Sequence, residues 1–177
     1  PARERLAEAP SGVGQVIEDA DRYLVILRMR QLRRADLKPI DLAELADDVG
    51  ERLAPPVGAG VRLERDIAWG LQVRGDRIAL LMLMHEVLRV ALAMAPPGAL
   101  LHWSLSRRDR MAVLALRGPD QGWRQRLLAR LGGADTGAAA LGATMVARVA
   151  QLHDARFDGA DQAGAAVCWQ FPLMPEA

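Results

Sequence analysis

The stretch Gly75-Asp76-Arg77-Ile78-Ala79-Leu80-Leu81-Met82-Leu83-Met84-His85-Glu86-Val87-Leu88-Arg89-Val90-Ala91-Leu92-Ala93-Met94 decides the fold. Asp76 precedes a run of strong helix formers, and its carboxylate suits the exposed N–H groups of a first turn. It therefore caps a helix predicted from Arg77 to about Met94. Pro96-Pro97-Gly98 closes that helix. The helix is apolar over most of its circumference, which places it centrally and not on a surface. Its longest apolar run, Ile78 to Met84, stops at His85 and Glu86. That is well short of the ~18 residues a membrane span needs.

Working outward, Val61, Leu63 and Ile67 alternate with charges and predict a half-buried strand. Leu71 and Val73 predict a short second one. Upstream, Asp41 with Glu44 forms an Asp version of the capping box for a helix with the stripe Leu42, Leu45, Ala46, Val49 and Leu53. Lys38-Pro39 reads as an extended connection. Before it, Ser11 caps a helix to about Ala35 with Val13, Ile17, Ala20, Leu24 and Leu27 in a heptad rhythm. That stripe fits either a helix lying on its own domain or one in an intersubunit bundle. Arg22, Arg28, Arg30, Arg33 and Arg34 sit largely off it. Downstream, Leu101, Trp103 and Leu105 alternate in a strand, Ser106 to Arg110 turns, and Met111 to Leu116 reads as a buried strand. A loop follows at Gly118–Gly122. A short basic helix (Trp123–Leu131), a loop of small residues (Gly132–Ala140) and a helix (Leu141–Leu152) come next. A strand from Phe157, a turn at Asp158–Gly164 and a strand Ala166–Phe171 end the chain. The order predicts an α+β fold with a mostly antiparallel sheet and helices on one face.

The 177 residues carry 23 Lys+Arg against 22 Asp+Glu, so bulk electrostatic capture of nucleic acid or of an anionic membrane is not expected. Cys168 is the one cysteine, which excludes an intrachain disulfide and a two-cysteine zinc site. Pro1–Pro10 is too charged for a signal peptide. The chain reads as a cytoplasmic fragment of something longer, with no membrane span of its own.

Several phrases, in this order, resemble the ATP-binding domain of two-component sensor histidine kinases. Pro39-Ile40-Asp41-Leu42 looks like the start of that domain. Val73-Arg74-Gly75-Asp76-Arg77-Ile78 and His85–Leu92 look like its first box and the approach to it. Leu141-Gly142-Ala143-Thr144-Met145-Val146, with Gln151-Leu152-His153, looks like its last glycine box, and Phe171-Pro172-Leu173 like its closing strand. The resemblance implies a two-layer α/β sandwich of the histidine-kinase-type ATPase fold, with a mixed sheet and three helices, preceded by a long bundle helix. It divides the chain into a partial dimerisation helix (1–36) and an ATPase-like domain (37–177).

The resemblance also implies cofactors, ATP and Mg²⁺, and the departures fall on them. The magnesium-holding Asn is Val90 here, which offers no donor to a hard cation. Glu86 keeps a family position near the γ-phosphate, where it either acts or merely faces solvent. Arg89 is compatible with the family. The adenine-reading Asp is Gly118. Asp120 stands at a glycine position, either restoring the contact or capping a turn, and Gly122 survives. The glycines before Leu141 and Gly142 are Ala138-Ala139-Ala140. Alanine costs roughly 1 kcal/mol or more where positive φ is needed. Arg124, Arg126 and Arg130 either meet phosphate or form a solvated face. The phosphoacceptor His of relatives has no counterpart, since His85, His102 and His153 all lie inside the ATPase-like region.

These features lead to three expectations. The first is the cytoplasmic part of a sensor histidine kinase that phosphorylates a His outside this chain, with nucleotide binding weak or lost. The second is a pseudokinase serving as a dimeric regulatory module. The third is a His phosphotransferase scaffold. The partners implied are a second copy, through residues 13–27, and a response regulator.

Overall fold

The computed structural model describes residues 9–56, 58, 60–132, 138–158 and 166–175. The elements, in order, are α1 (Ala9–Gln31), a 3-10 turn (Arg34–Asp36), β1 (Lys38–Asp41), α2 (Leu42–Arg52), β2 (Arg62–Ile67), β3 (Gln72–Gly75), α3 (Arg77–Ala93), β4 (Leu100–Arg108), β5 (Met111–Arg117), α4 (Gln121–Leu131), α5 (Ala138–Leu152), β6 (Arg156–Asp158) and β7 (Ala166–Pro172).

Five strands form one sheet in the order β2-β4-β5-β7-β6. β2 lies parallel to β4, with Leu63 beside Leu101 and Ile67 beside Leu105. The other neighbours pair antiparallel. α3 belongs to the crossover that a parallel pair requires. The sheet is thus mixed and mostly antiparallel, as the sequence predicts. The sequence pattern leaves the strand partners open. β3 does not join β2 but pairs with β1, which the sequence suggests as a mere connection, in a separate two-stranded ribbon. Pro39 is tolerated there because so short a ribbon demands few ladder hydrogen bonds.

The core lies between the sheet and the helices. Leu42, Leu45, Leu80, Leu83, Met84, Leu88, Leu101, Trp103, Leu105, Trp123, Trp169 and Phe171 are all fully buried. Each buried Leu contributes roughly 1.5–3 kcal/mol of transfer free energy. Trp103 Nε1 donates to the Ala46 carbonyl at 2.8 Å, tying α2 to β4. Val113, Ala166 and the buried Cys168 form a smaller cluster away from this core.

Helix starts follow the predicted carboxylates. Asp41 accepts from Ala43 N and Asp76 from Ala79 N. Several bounds move. Ser11 lies inside α1 and does not cap it. The turn after β4 is tighter than Ser106–Arg110, because Asp109 takes φ 54° and lets the strands run on. α4 begins at Gln121, since Asp120 caps it. α5 begins at Ala138, because consecutive alanines are the best helix formers and the chain coils early. Among the described residues four helices accompany the sheet after residue 37, the predicted short basic one being α4. Asp158 closes β6, and the rest of the predicted turn at Asp158–Gly164, most of the loop Gly132–Ala140 and residues 1–8 lie outside the described residues. Among the described residues no helix is long and apolar enough to cross a membrane.

α1 returns onto its own domain and packs against α5 and α3. Val25 is buried, and Ile26 and Met29 are partly so. The opposite face carries Val16, Ile17, Tyr23 and Leu24, each more than half exposed. One face of α1 therefore lies on the domain, as the first of the two sequence alternatives has it, while Ile17 and Leu24 of the heptad stripe are exposed. Arg22, expected off the packed face, is instead 3% exposed.

Candidate functional site

Glu86 sits at the middle of α3 and is 4% exposed. Its Oε2 accepts from Arg22 Nε at 3.1 Å and from Arg22 Nη2 at 2.9 Å. Arg89, one turn on, donates Nη2 to Oε1 at 2.9 Å and Nε to Oε2 at 3.2 Å. Arg22 is held in turn by Asp19 at 2.6 Å. Burial alone would push the Glu86 carboxyl up. The hydrogen bonds and charges of Arg89 and Arg22 outweigh it and hold the group below the usual carboxylate range. Glu86 is therefore an ionised carboxylate closed in by two guanidiniums, not a solvent-facing one.

Gly142, near the start of α5, abuts this carboxylate: a Cβ there would collide with Glu86 Oε1. The absence of a side chain lets α5 approach α3 over Glu86. Leu141 beside it is half-buried. Val90 is 8% exposed and belongs to the main core. The structure brings Glu86, Arg89 and Gly142 together, with Val90 one turn along the same helix. Ala138–Ala140 are helical in backbone and form no glycine-type loop.

A second group lies at the end of β5. Gly118 is buried, and a Cβ on it would overlap the six-membered ring of Trp123. Trp123 is fully buried, and its ring occupies the space that a side chain at position 118 would need. Asp120 is committed to capping α4, accepting from Trp123 N at 2.7 Å. It serves as the turn residue of one alternative and does not restore the contact of the other. Gly122 is in the first turn of α4, where a Cβ would come within 3.1 Å of Asp120 Oδ1. Among the described residues the Trp123 Nε1–H finds no acceptor.

ATP and Mg²⁺ do not fit these residues as the resemblance anticipates. Val90 has no donor atom, Glu86 is already saturated by cations, and the Trp123 ring covers Gly118. Among the described residues no three His, Cys, Asp or Glu side chains gather as metal ligands.

The residues that sequence reasoning missed are Arg22 and Trp123. Arg22 had one available signal: it is a cation on the helix face opposite the heptad stripe. Trp123 had another: it stands three residues after Asp120, the spacing of a capped first turn. His153 is the third. It is 5% exposed; its Nε2 accepts from Asp76 N at 3.0 Å, and Nδ1 lies 2.7 Å from the Val149 carbonyl, which requires the Nδ1–H tautomer. Asp76 also takes Arg28 of α1 at 2.7 Å. His102 lies on β4, half-exposed beside Glu64 at 3.2 Å.

Burial holds the His153 pKa below its ordinary 6.5, against the opposing Val149 hydrogen bond and the Asp76 and Asp154 charges. The unfolded chain thus takes up this proton first. Stability is lost as pH falls below about 6.5 towards the folded value, with a slope of at most about 1.4 kcal/mol per pH unit. His153→Gln, whose carbonyl can accept from Asp76 N, is expected to remove this contribution. Urea midpoints between pH 7.5 and 5.5 check it; an unchanged difference between variant and wild type across that range refutes it.

The fold is that of the ATP-binding domains of sensor histidine kinases. The chain superposes on the mycobacterial sensor histidine kinase MprB with a TM-score of 0.59 at 24% identity, over 79% of this chain and 99% of that one. It superposes on the cytoplasmic segment of histidine kinase QseC with a TM-score of 0.62 at 18% identity, over 96% and 95%. For the Acinetobacter baumannii histidine kinase AdeS the values are 0.61, 18%, 97% and 84%. No family model matches the sequence, and no curated protein sequence matches it.

Proposed function

We propose that this chain is the cytoplasmic signalling portion of a two-component sensor histidine kinase whose nucleotide cleft is closed. It works as a pseudokinase, a dimeric regulatory module that acts through protein contacts. The observation that carries this reading is the Trp123 ring packed on Gly118, where an adenine-reading carboxylate would have to stand. Val90 and the saturated Glu86 remove the phosphate side of the same ligand. Residues 1–36 supply half of a dimerisation hairpin, and 37–177 the ATPase-like domain. The open stripe Val16, Ile17 and Leu24 supports a homodimer through residues 13–27. A response regulator is the downstream partner in this reading.

Glu86 favours one competing reading, since it is retained as an ionised carboxylate. In that reading the parent kinase still uses ATP, with Glu86 and Arg89 serving a phosphate freed from Arg22. Calorimetry with a non-hydrolysable ATP analogue and Mg²⁺ separates the two. No heat is expected at about 1 mM nucleotide. A dissociation constant tighter than about 100 µM defeats the pseudokinase reading.

A further inference from the structure

α1 and α5 run parallel: Arg22 reaches Glu86 beside Gly142 at one end, and Arg34 pairs with Asp154 at the other. Between them lies an open trough of about 650 Å³. Ile26, Met29, Leu141 and Leu152 contribute apolar surface, and Arg30, Arg34 and Arg148 line it from both sides. On α5 the lining runs from Leu141 to Leu152, about 16 Å at 1.5 Å per residue, the length of some three helical turns.

Among the described residues that line the trough none is acidic. Arg34 is neutralised by Asp154. Among the described residues Arg30 and Arg148 have no carboxylate partner, and Arg148 reaches only the neutral Gln151 at 3.4 Å. Two guanidiniums facing one groove without a carboxylate repel each other, and a single carboxylate placed between them relieves both. The apolar surface beneath has the length along α5 that an amphipathic helix covers with residues at i, i+4 and i+7.

We propose that this trough is a docking site for an acidic amphipathic helix of a partner protein, its apolar stripe on Ile26, Met29, Leu141 and Leu152 and its carboxylates on Arg30 and Arg148. This deepens the reading of a protein-contact module by naming the partner's chemistry. The trough shares no lining residue with the Gly118–Trp123 plug.

The test is fluorescence-anisotropy titration of the whole chain with a labelled helical peptide of about four turns. The peptide bears Leu at i, i+4, i+7 and i+11, Glu flanking that stripe and Ala elsewhere. Binding to wild type is expected, weakened about tenfold or more by the double substitution Arg30→Glu, Arg148→Glu. A peptide with Lys in place of Glu should show the reverse preference. Both arginines are exposed, and circular dichroism confirms that the variant folds. Equal affinity for wild type and the double variant overturns the proposal, as does no binding at about 1 mM. It also fails if about 10 mM inorganic phosphate perturbs the amide shifts of Arg30 and Arg148 while the peptide does not, which would make the trough a small-anion site. The titration uses no nucleotide, so its failure and that of the closed-cleft reading are separate results.

Discussion

Gly118→Asp will destabilise the protein by about 3–5 kcal/mol and will not create an ATP site. Any Cβ at this position overlaps the Trp123 ring, and overpacking a rigid core costs about 1–3 kcal/mol. The added carboxylate would enter a buried place with no partner provided, which costs several kcal/mol more unless its pKa rises. Pairing it with Val90→Asn adds an amide to the core, so restoring both of the family's residues should rescue little. Trp123→Ala alone should cost about 3–5 kcal/mol as a cavity. In Gly118→Asp with Trp123→Ala, the Asp enters the space vacated by the ring, so the double variant should lose less than the sum of the singles. Urea unfolding of the four proteins measures this. Additive losses would mean that the ring is not what excludes the side chain. Tight ATP binding by Gly118→Asp, Val90→Asn with Trp123 intact would overturn the closed-cleft reading altogether.

Arg22→Ala is expected to cost about 2–3 kcal/mol and to loosen α1. Removing one partner of a buried pair typically costs about 3–5 kcal/mol because the other charge is stranded. Arg89 still contacts Glu86, so the lower part of that scale applies. The helix would keep Val25, Ile26 and Met29 and the exposed Arg28–Asp76 bridge, which salt screens. Hydrogen exchange should therefore rise across residues 19–29 before the core responds. Arg22→Met with Glu86→Leu replaces the pair with apolar groups of similar length and should restore most of the stability. Unchanged exchange in α1 of Arg22→Ala would show that the ion pair does not fasten the helix. A double variant no better than the single would show that shape, and not charge, holds it there.

The parts of this molecule legible in sequence are those set by neighbours along the chain. Asp41 and Asp76 announce helix starts because a cap needs only the next three residues. α3 announces its central place because nearly every side of it is apolar. Gly118, Val90 and Ala138–Ala140 stand out in the sequence because each lacks an atom or conformation that the resemblance implies.

The strand partners were not legible. β3 is as short and alternating as many strands, and only the course of the chain puts it against β1 while β2 takes β4 in parallel. Arg22 reads as a surface cation until α1 folds back and brings it to a carboxylate 64 positions away. The alternation of apolar and polar residues, the caps and the missing donor atoms belong to the amino-acid order, because each rests on distances of one or two turns. That Trp123 packs on Gly118 and that Arg22 pairs with Glu86 belongs to the folded chain. Close approach between distant segments depends on how whole elements pack, which no local pattern encodes.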